Sequence, residues 1–403
     1  SLVGSEMCIR DSNKTMKDKY FKDRLKEIES SGNLRRLQII TNSEKGVIVG
    51  NKEFTNLTSN DYLGIATDRH LYSEFLENLK ESDLQFSASS SRLQTGNYED
   101  HIVLEKRLAE LFHSESALVF NSGYHANTGI LPAVTTSRSM ILADKLVHAS
   151  IIDGIRLSQA KCIRFKHNDY RQLERLIQQA GEHHDRIIIV TESIFSMDGD
   201  ESDLRTLVRF KQKYPAIMLY IDEAHAIGVR GNNGLGCCEE HNIIEHIDFL
   251  IGTFGKALGS CGAFLICNRT MREYLINTMR TFIFTTALPP INLKWTLFTL
   301  NKAVGMNSRR EHIKKISNLL KKELSSENQE IQSSSHIIPY ITGSSESAHN
   351  AAKELQKQGF YVLPVRPPTV PDGTARIRLS LTANCTEEEI NRLIYCIRNL
   401  SKS

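Results

Sequence analysis

No run of about 18 apolar residues occurs in this 403-residue chain, so nothing in it reads as a membrane-spanning helix. Charge of one sign is also missing. Lys and Arg number 50 against 47 Asp and Glu, and no basic block interleaves with aromatics, which argues against a nucleic-acid partner. The eight cysteines form no CxxC pair with a matching second pair, so no metal site is expected. Several lie in apolar segments and read as reduced packing residues of a cytoplasmic protein, with Cys261 a small filler. Residues 1–15 lack the apolar core of a signal peptide. Met16 opens a charged segment with helical spacing, so residues 1–15 are set aside as an extension.

What is present is ordinary globular composition, 40% apolar and 24% charged. The length calls for two packed units rather than one core. Tyr20, Phe21, Leu25 and Ile28 predict an N-terminal helix over about 16–33, followed by a strand pair near Leu37–Ile40 and Gly46–Val49. From Ser59 onward, short apolar runs alternate with amphipathic segments, the pattern of βα units around a mainly parallel sheet. Strands are expected at Ala117–Phe120, Met140–Ala143, Arg186–Val190, Met218–Ile221, Phe249–Gly252 and Ala263–Ile266, with helices at Tyr170–Ala180 and Leu204–Tyr214. A long helix is expected over Asn301–Leu324 and a polar loop over Ser325–Ser335. A small α+β unit then runs through His336–Ile341, Ala348–Gln358, Tyr361–Val365 and Arg376–Leu381, closed by a helix over Glu387–Leu400. The expected division is 16–58 for the N-terminal helix and strands, 59–295 for a large domain, and 296–403 for the small C-terminal domain.

Two segments carry chemistry. Gly252-Thr253-Phe254-Gly255-Lys256-Ala257-Leu258-Gly259 follows an apolar run and sets one lysine among small residues. A lysine that adds to an aldehyde needs a setting that lowers its pKa and leaves room for a flat ring. A solvated lysine on a glycine-rich turn is the plainer reading. The apolar run Met218–Ile221 ends in Asp222-Glu223-Ala224-His225, and ligands of open α/β sheets sit beyond the carboxyl ends of the strands. A carboxylate there suits the ring nitrogen of pyridoxal phosphate; a helix N-cap is the alternative.

These segments, in order with Ser59-Asn60-Asp61-Tyr62-Leu63-Gly64, Asn121-Ser122-Gly123-Tyr124, Asp144–Ser150, Thr191–Asp200 and Arg366–Pro371, resemble the α-oxoamine synthase family of fold-type I pyridoxal-phosphate enzymes. The resemblance implies an α/β fold: a large domain with a mainly parallel, seven-stranded-type sheet flanked by helices, plus a small α+β C-terminal domain. It implies pyridoxal 5'-phosphate bound to Lys256, Asp222 at the ring nitrogen, His148 stacked on the ring, and His225 with Ser196 at the 3-oxygen. Ser193 competes with Ser196 for that place. The backbone of Ser122, Gly123 and Tyr124 and the Thr253 hydroxyl would hold the phosphate. Thr286 would serve the neighbouring subunit, making a homodimer with shared active sites.

Arg378 would grip the amino-acid carboxylate, with Arg376 as the competing choice. Asn60 and the serine-rich segment Ser87–Asn97 would line the acyl side, and Arg36 or Arg35 would meet a distal carboxylate. His125 is read as structural. Within the family the segment 366–383 most resembles the members of biotin synthesis, which join L-alanine to pimeloyl-CoA or pimeloyl-acyl carrier protein. Glycine C-acetyltransferase and its kin, or a catalytically silent partner subunit, are the alternatives.

Overall fold

The computed structural model describes residues 18–43, 46–181, 184–325 and 331–400. The extension read at residues 1–15 lies outside them. A helix runs through residues 18–30, with Tyr20, Phe21 and Leu25 exposed along it. Three short antiparallel strands follow, β1 (Thr41–Ser43), β2 (Gly46–Val49) and β3 (Lys52–Asn56). The first strand therefore falls C-terminal to Leu37–Ile40. The register pairs Ser43 with Gly46, so only the residues just before the turn can reach β2, and Leu37 and Ile39 remain exposed.

The central sheet has seven strands: β4 (Ser116–Phe120), β5 (Ser139–Asp144), β6 (Lys161–Phe165), β7 (Arg186–Glu192), β8 (Ile217–Asp222), β9 (Phe249–Thr253) and β10 (Ala263–Cys267). Their spatial order is β4-β10-β9-β8-β7-β5-β6, and β10 alone is antiparallel to its neighbours. The sheet expected from the sequence is thus present. Its inner strands are apolar along their whole length because helices cover both faces, and a separate apolar cluster lies on each. The edge strand β6 escaped the sequence reading. It reads Lys-Cys-Ile-Arg-Phe, and its Lys161 and Arg164 face solvent, so it lacks the continuous apolar run of its neighbours.

Side-chain caps start the flanking helices. Ser122 caps Gly123–Val134, Asp169 caps Tyr170–Ala180 and Asp203 caps Leu204–Lys213, each accepting a backbone N–H of the first turn. The long helix expected over Asn301–Leu324 is two helices, Pro290–Val304 and Asn307–Ser325. Gly305 ends the first, and the Arg310 guanidinium of the second donates to the C-terminal carbonyls of Ala303 and Val304 at 2.7 and 2.8 Å.

A third apolar cluster joins Leu57 to the C-terminal elements. There β11 (Ile337–Gly343) pairs with β14 (Ala375–Ser380), which also pairs with β13 (Pro364–Val365). The strand β12 (Phe360–Tyr361) instead runs parallel to β3, so the strand expected over Tyr361–Val365 divides between two sheets. Helices Ser345–Lys357 and Glu387–Leu400 pack on this unit. No helix among the described residues is long and apolar enough to cross a membrane.

Gly154 lets the helix Ala149–Leu157 approach Gly123–Val134: a Cβ there would lie 2.2 Å from the Asn127 carbonyl oxygen. Gly154→Ala is expected to lower unfolding free energy by about 1–3 kcal/mol through overpacking, read as a lower urea midpoint at unchanged m-value.

Candidate active site

Parallel pairing brings several chemical groups to one edge of the sheet. Glu192 at the end of β7 lies opposite Asp222 at the end of β8, and β9 ends alongside at Thr253, three residues before Lys256. Across β10, Ala263 pairs with both Thr253 and Phe120, so the loop Asn121–Ser122 emerges near Thr253. This is the carboxyl-end placement where open α/β sheets bind ligands.

Lys256 lies 2.8 Å from His225 Nε2, and His225 Nδ1 lies 2.6 Å from the Tyr62 hydroxyl. Tyr62 donates to Asn60 Oδ1 at 3.0 Å, and Arg378 donates to the same oxygen at 3.2 Å. Arg378 is steadied by Nε donating to the Ser196 carbonyl at 2.5 Å. Lys256 is half-buried, and the surrounding protein desolvates the amine. Burial brings its pKa down to about 8 against the opposing fields of Asp222 and Glu192. His225 is buried, and desolvation followed by the Lys256 and Arg378 charges holds its ring well below its usual pKa. A neutral His225 can accept from Lys256 and donate to Tyr62.

Asp222 is 6% exposed. It accepts from Asn127 Nδ2 and from the Ala224 N–H, both at 2.9 Å, and no Lys, Arg or His pairs with it among the described residues. A buried carboxylate so held lacks a cation, and a protonated pyridine nitrogen is one. Beside it, burial and then the Asp222 charge push Glu192 well above the ordinary carboxyl range. Glu192 accepts the His148 N–H at 2.6 Å. The His148 side chain is exposed, with Nδ1 2.7 Å from Ser150 Oγ, and desolvation lowers its pKa. At the start of the helix Gly123–Val134, a Cβ on Gly123 would meet nothing within 4 Å, which leaves space for a phosphate at the helix N-terminus. Thr253 Oγ1 donates to the Gly262 carbonyl at 3.0 Å and accepts from the Gly255 N–H. Amine, buried carboxylate and open helix N-terminus together fit pyridoxal phosphate.

The geometry bears on several of the open choices. Ser193 donates to the buried Glu223 at 2.5 Å and is committed there, whereas the Ser196 hydroxyl has no such bond among the described residues. Arg376 pairs with Asp198 and is buried, which leaves Arg378 as the arginine of the cluster. His125 bonds Ser122 Oγ at 2.8 Å, a local structural contact. Tyr124 bonds Asp153, and Thr286 is exposed, its carbonyl accepting from Asn121 Nδ2 at 2.7 Å. The serine-rich segment meets this loop where Ala287 N–H donates to the Ser90 carbonyl.

Arg36 is not brought to the cluster. It sits in an exposed extended stretch, 3.7 Å from Glu29, while Arg35 reaches Thr369. Cys261 is exposed rather than a buried filler.

The sequence reading missed the supports. Asn127 accepts from Tyr220 at 2.6 Å while holding Asp222 and Ser150; its signal was an amide inside an otherwise apolar helix face. His167 bridges Asp144 at 2.9 Å and Asp200 at 2.6 Å, tying β5 to the loop that carries Ser196.

A sequence profile of the class I and II aminotransferases matches residues 52–397. The chain belongs to that family. It is 51% identical over 378 residues to a protein of Glaesserella parasuis serovar 5 (strain SH0165) named "Putative 8-amino-7-oxononanoate synthase", covering 94% of this chain and 99% of the relative. A serine palmitoyltransferase from S. paucimobilis with a bound PLP–myriocin aldimine superposes with a TM-score of 0.86 at 26% identity, covering 96% of this chain and 98% of that one. A Francisella tularensis 8-amino-7-oxononanoate synthase gives 0.74 at 28% identity, covering 87% and 98%. As a family member the chain is a fold-type I enzyme with pyridoxal phosphate as its cofactor, an acyltransferase among its relatives.

Two outcomes follow for this aminotransferase-family chain. Capture of pyridoxal phosphate by the apo protein, followed by visible absorbance, should accelerate with pH and level off above about 8, where Lys256 is free amine. For His167, burial lowers the pKa, but bonds to Asp144 and Asp200 outweigh it and push it up to about 10 from 6.5. The folded value is the higher one, so its stabilisation is complete below pH 6.5, declines above that, and is gone beyond pH 10. His167→Gln should be less stable than the parent at pH 6, with the gap narrowing toward pH 10 in urea titrations.

Proposed function

We propose that this chain condenses L-alanine with a pimeloyl thioester, releasing carbon dioxide and the free thiol carrier and yielding 8-amino-7-oxononanoate, a step of biotin synthesis. The reading is carried by the hydrogen-bonded line from Lys256 through His225, Tyr62 and Asn60 to Arg378, which joins a tunable base to a carboxylate anchor. The name of the 51%-identical relative supports the choice of substrates.

Arg378 receives the carboxylate of the amino acid. Its Nη1 has no partner among the described residues, while its other nitrogens are held by Ser196, Asn60 and Tyr62. Pyridoxal phosphate, when bound, supplies an electron sink for charge left at the substrate Cα. Lys256 takes the Cα proton as general base, and a base with a pKa of about 8 suits that task near neutral pH. Cα then bonds to the thioester carbonyl carbon, and the thiolate departs and takes a proton. The bond from Cα to the carboxylate breaks next; the electron pair stays at Cα and carbon dioxide leaves. Lys256 returns a proton to Cα.

Asp222 is the counter-anion for the ring nitrogen, His148 covers the ring, and His225 with Ser196 serves the 3-oxygen. The Ser122–Tyr124 backbone and Thr253 hold the phosphate. Asn60 lies between the base and the anchor. The enzyme works as a homodimer in which Thr286 of one copy serves the phosphate of the other. Exposed Thr286, Phe284 and Phe86, together with the apolar face of the helix at 18–30, support that assembly.

Arg378→Ala should raise KM for L-alanine by roughly 10–150-fold, the value of a charge-assisted carboxylate contact, with a smaller effect on KM for the thioester. A panel of alanine, glycine and serine against pimeloyl, acetyl, succinyl and palmitoyl thioesters of coenzyme A and of acyl carrier protein tests the substrates. Alanine with pimeloyl is expected to dominate; preference for another pair overturns the assignment.

A further inference from the structure

A cleft of about 540 Å³, not lined by Lys256, lies between the loop 229–232 and the helix Asn307–Ser325, with residues 334–336 also on its wall. Its volume falls within the range of about 300–1,000 Å³ typical of small-molecule sites. Four cations line it: Arg230, Arg310, Lys314 and Lys321. Arg230 is neutralised by Glu201 and by Glu240, which also lines the cleft. Arg310 donates to the carbonyls of Ala303, Val304 and Asn232 and to Asn307, and no carboxylate pairs with it among the described residues. Lys314 and Lys321 make no hydrogen bond or ion pair with described residues, although Lys321 is partly desolvated and its pKa lowered by that burial. Glu311 is the remaining acid on the wall. Arg230, Arg310, Lys314 and Lys321 against Glu201, Glu240 and Glu311 leave a surplus of one positive charge.

A second observation points to a ligand. Ser317 and His336 line the same cleft and are 3% and 2% exposed. The Ser317 hydroxyl and both ring nitrogens of His336 meet no hydrogen-bond partner. Buried polar groups are ordinarily paired, so three orphaned atoms beside uncompensated charge mark a site made for something else. His336 is neutral, its pKa held well below the usual value by burial first, so it offers one donor and one acceptor.

We propose that this cleft binds a phosphorylated small molecule, its phosphate held by Lys314 and Lys321 and its polar body by Ser317 and His336. Two compact ammonium groups on flexible stems, neither paired with a described carboxylate, suit a phosphate group. The site bears on the active centre through one contact. The His336 ring packs edge-on against Tyr62 with centroids 4.0 Å apart, and Tyr62 is the residue that joins His225 to Asn60.

Isothermal titration of the holoenzyme with glycerol 3-phosphate, at constant ionic strength, tests the proposal, with glycerol and sodium chloride as controls. One saturable site per chain with a Kd below about 5 mM is expected, absent with either control. Lys314→Ala, at an exposed position, and Lys321→Met, which keeps the aliphatic stem, should each weaken binding about fivefold or more while leaving the visible absorbance of the cofactor unchanged. Equal binding in parent and variants, or no saturable heat with the parent, overturns the proposal. Should Lys321→Met lose its cofactor absorbance, Lys314→Ala decides alone.

Discussion

A lysine amine held among protein atoms, in the fields of two carboxylates, is the constraint on which the rest of this site depends. Burial lowers the pKa of Lys256, Asp222 and Glu192 oppose that, and the result is about 8. Such an amine is charged often enough to be stable in the protein and neutral often enough to attack a carbonyl. Neither carboxylate is tolerated there without support. Asp222 is held by Asn127 and the Ala224 N–H, and Glu192 accepts the His148 N–H. Removing one partner of a buried charge strands the other, at a cost of several kcal/mol, so the cluster constrains its neighbours as strongly as they constrain it.

The sheet explains why these groups meet. Parallel strands β7, β8 and β9 deliver Glu192, Asp222 and Thr253 to one edge, and the reversal at β10 returns the chain beside β4 and its helix N-terminus. The C-terminal unit then contributes Arg378 from β14, bonded to Asn60. Between the two units stands Tyr62, fully buried, bonded to His225 from one and approached by Arg378 from the other. An active site so assembled depends on the packing of both units.

Much of this was legible in the sequence, and for physical reasons. Fully buried strands announce themselves as apolar runs, and the residue that ends such a run in a parallel sheet faces the ligand edge; Asp222 was placed that way, and Lys256 followed β9 likewise. The β6 edge strand was not legible because solvent faces it on one side. The two-helix break at Gly305 was hidden because its cap comes from Arg310, five residues further on and indistinguishable in sequence from a solvated arginine. Asn127, His167 and Glu192 act through tertiary partners 95, 33 and 44 residues away. No local pattern marks such contacts. The pairing of Arg376 with Asp198 was likewise invisible in the sequence.

The most direct test asks which nitrogen carries the cofactor. Borohydride reduction of the holoenzyme fixes the pyridoxyl group to its lysine, and peptide mass mapping then locates it. The account predicts the added mass on the peptide containing Lys256 and on no other. Stoichiometric labelling of a different lysine, with Lys256 unmodified, would contradict it.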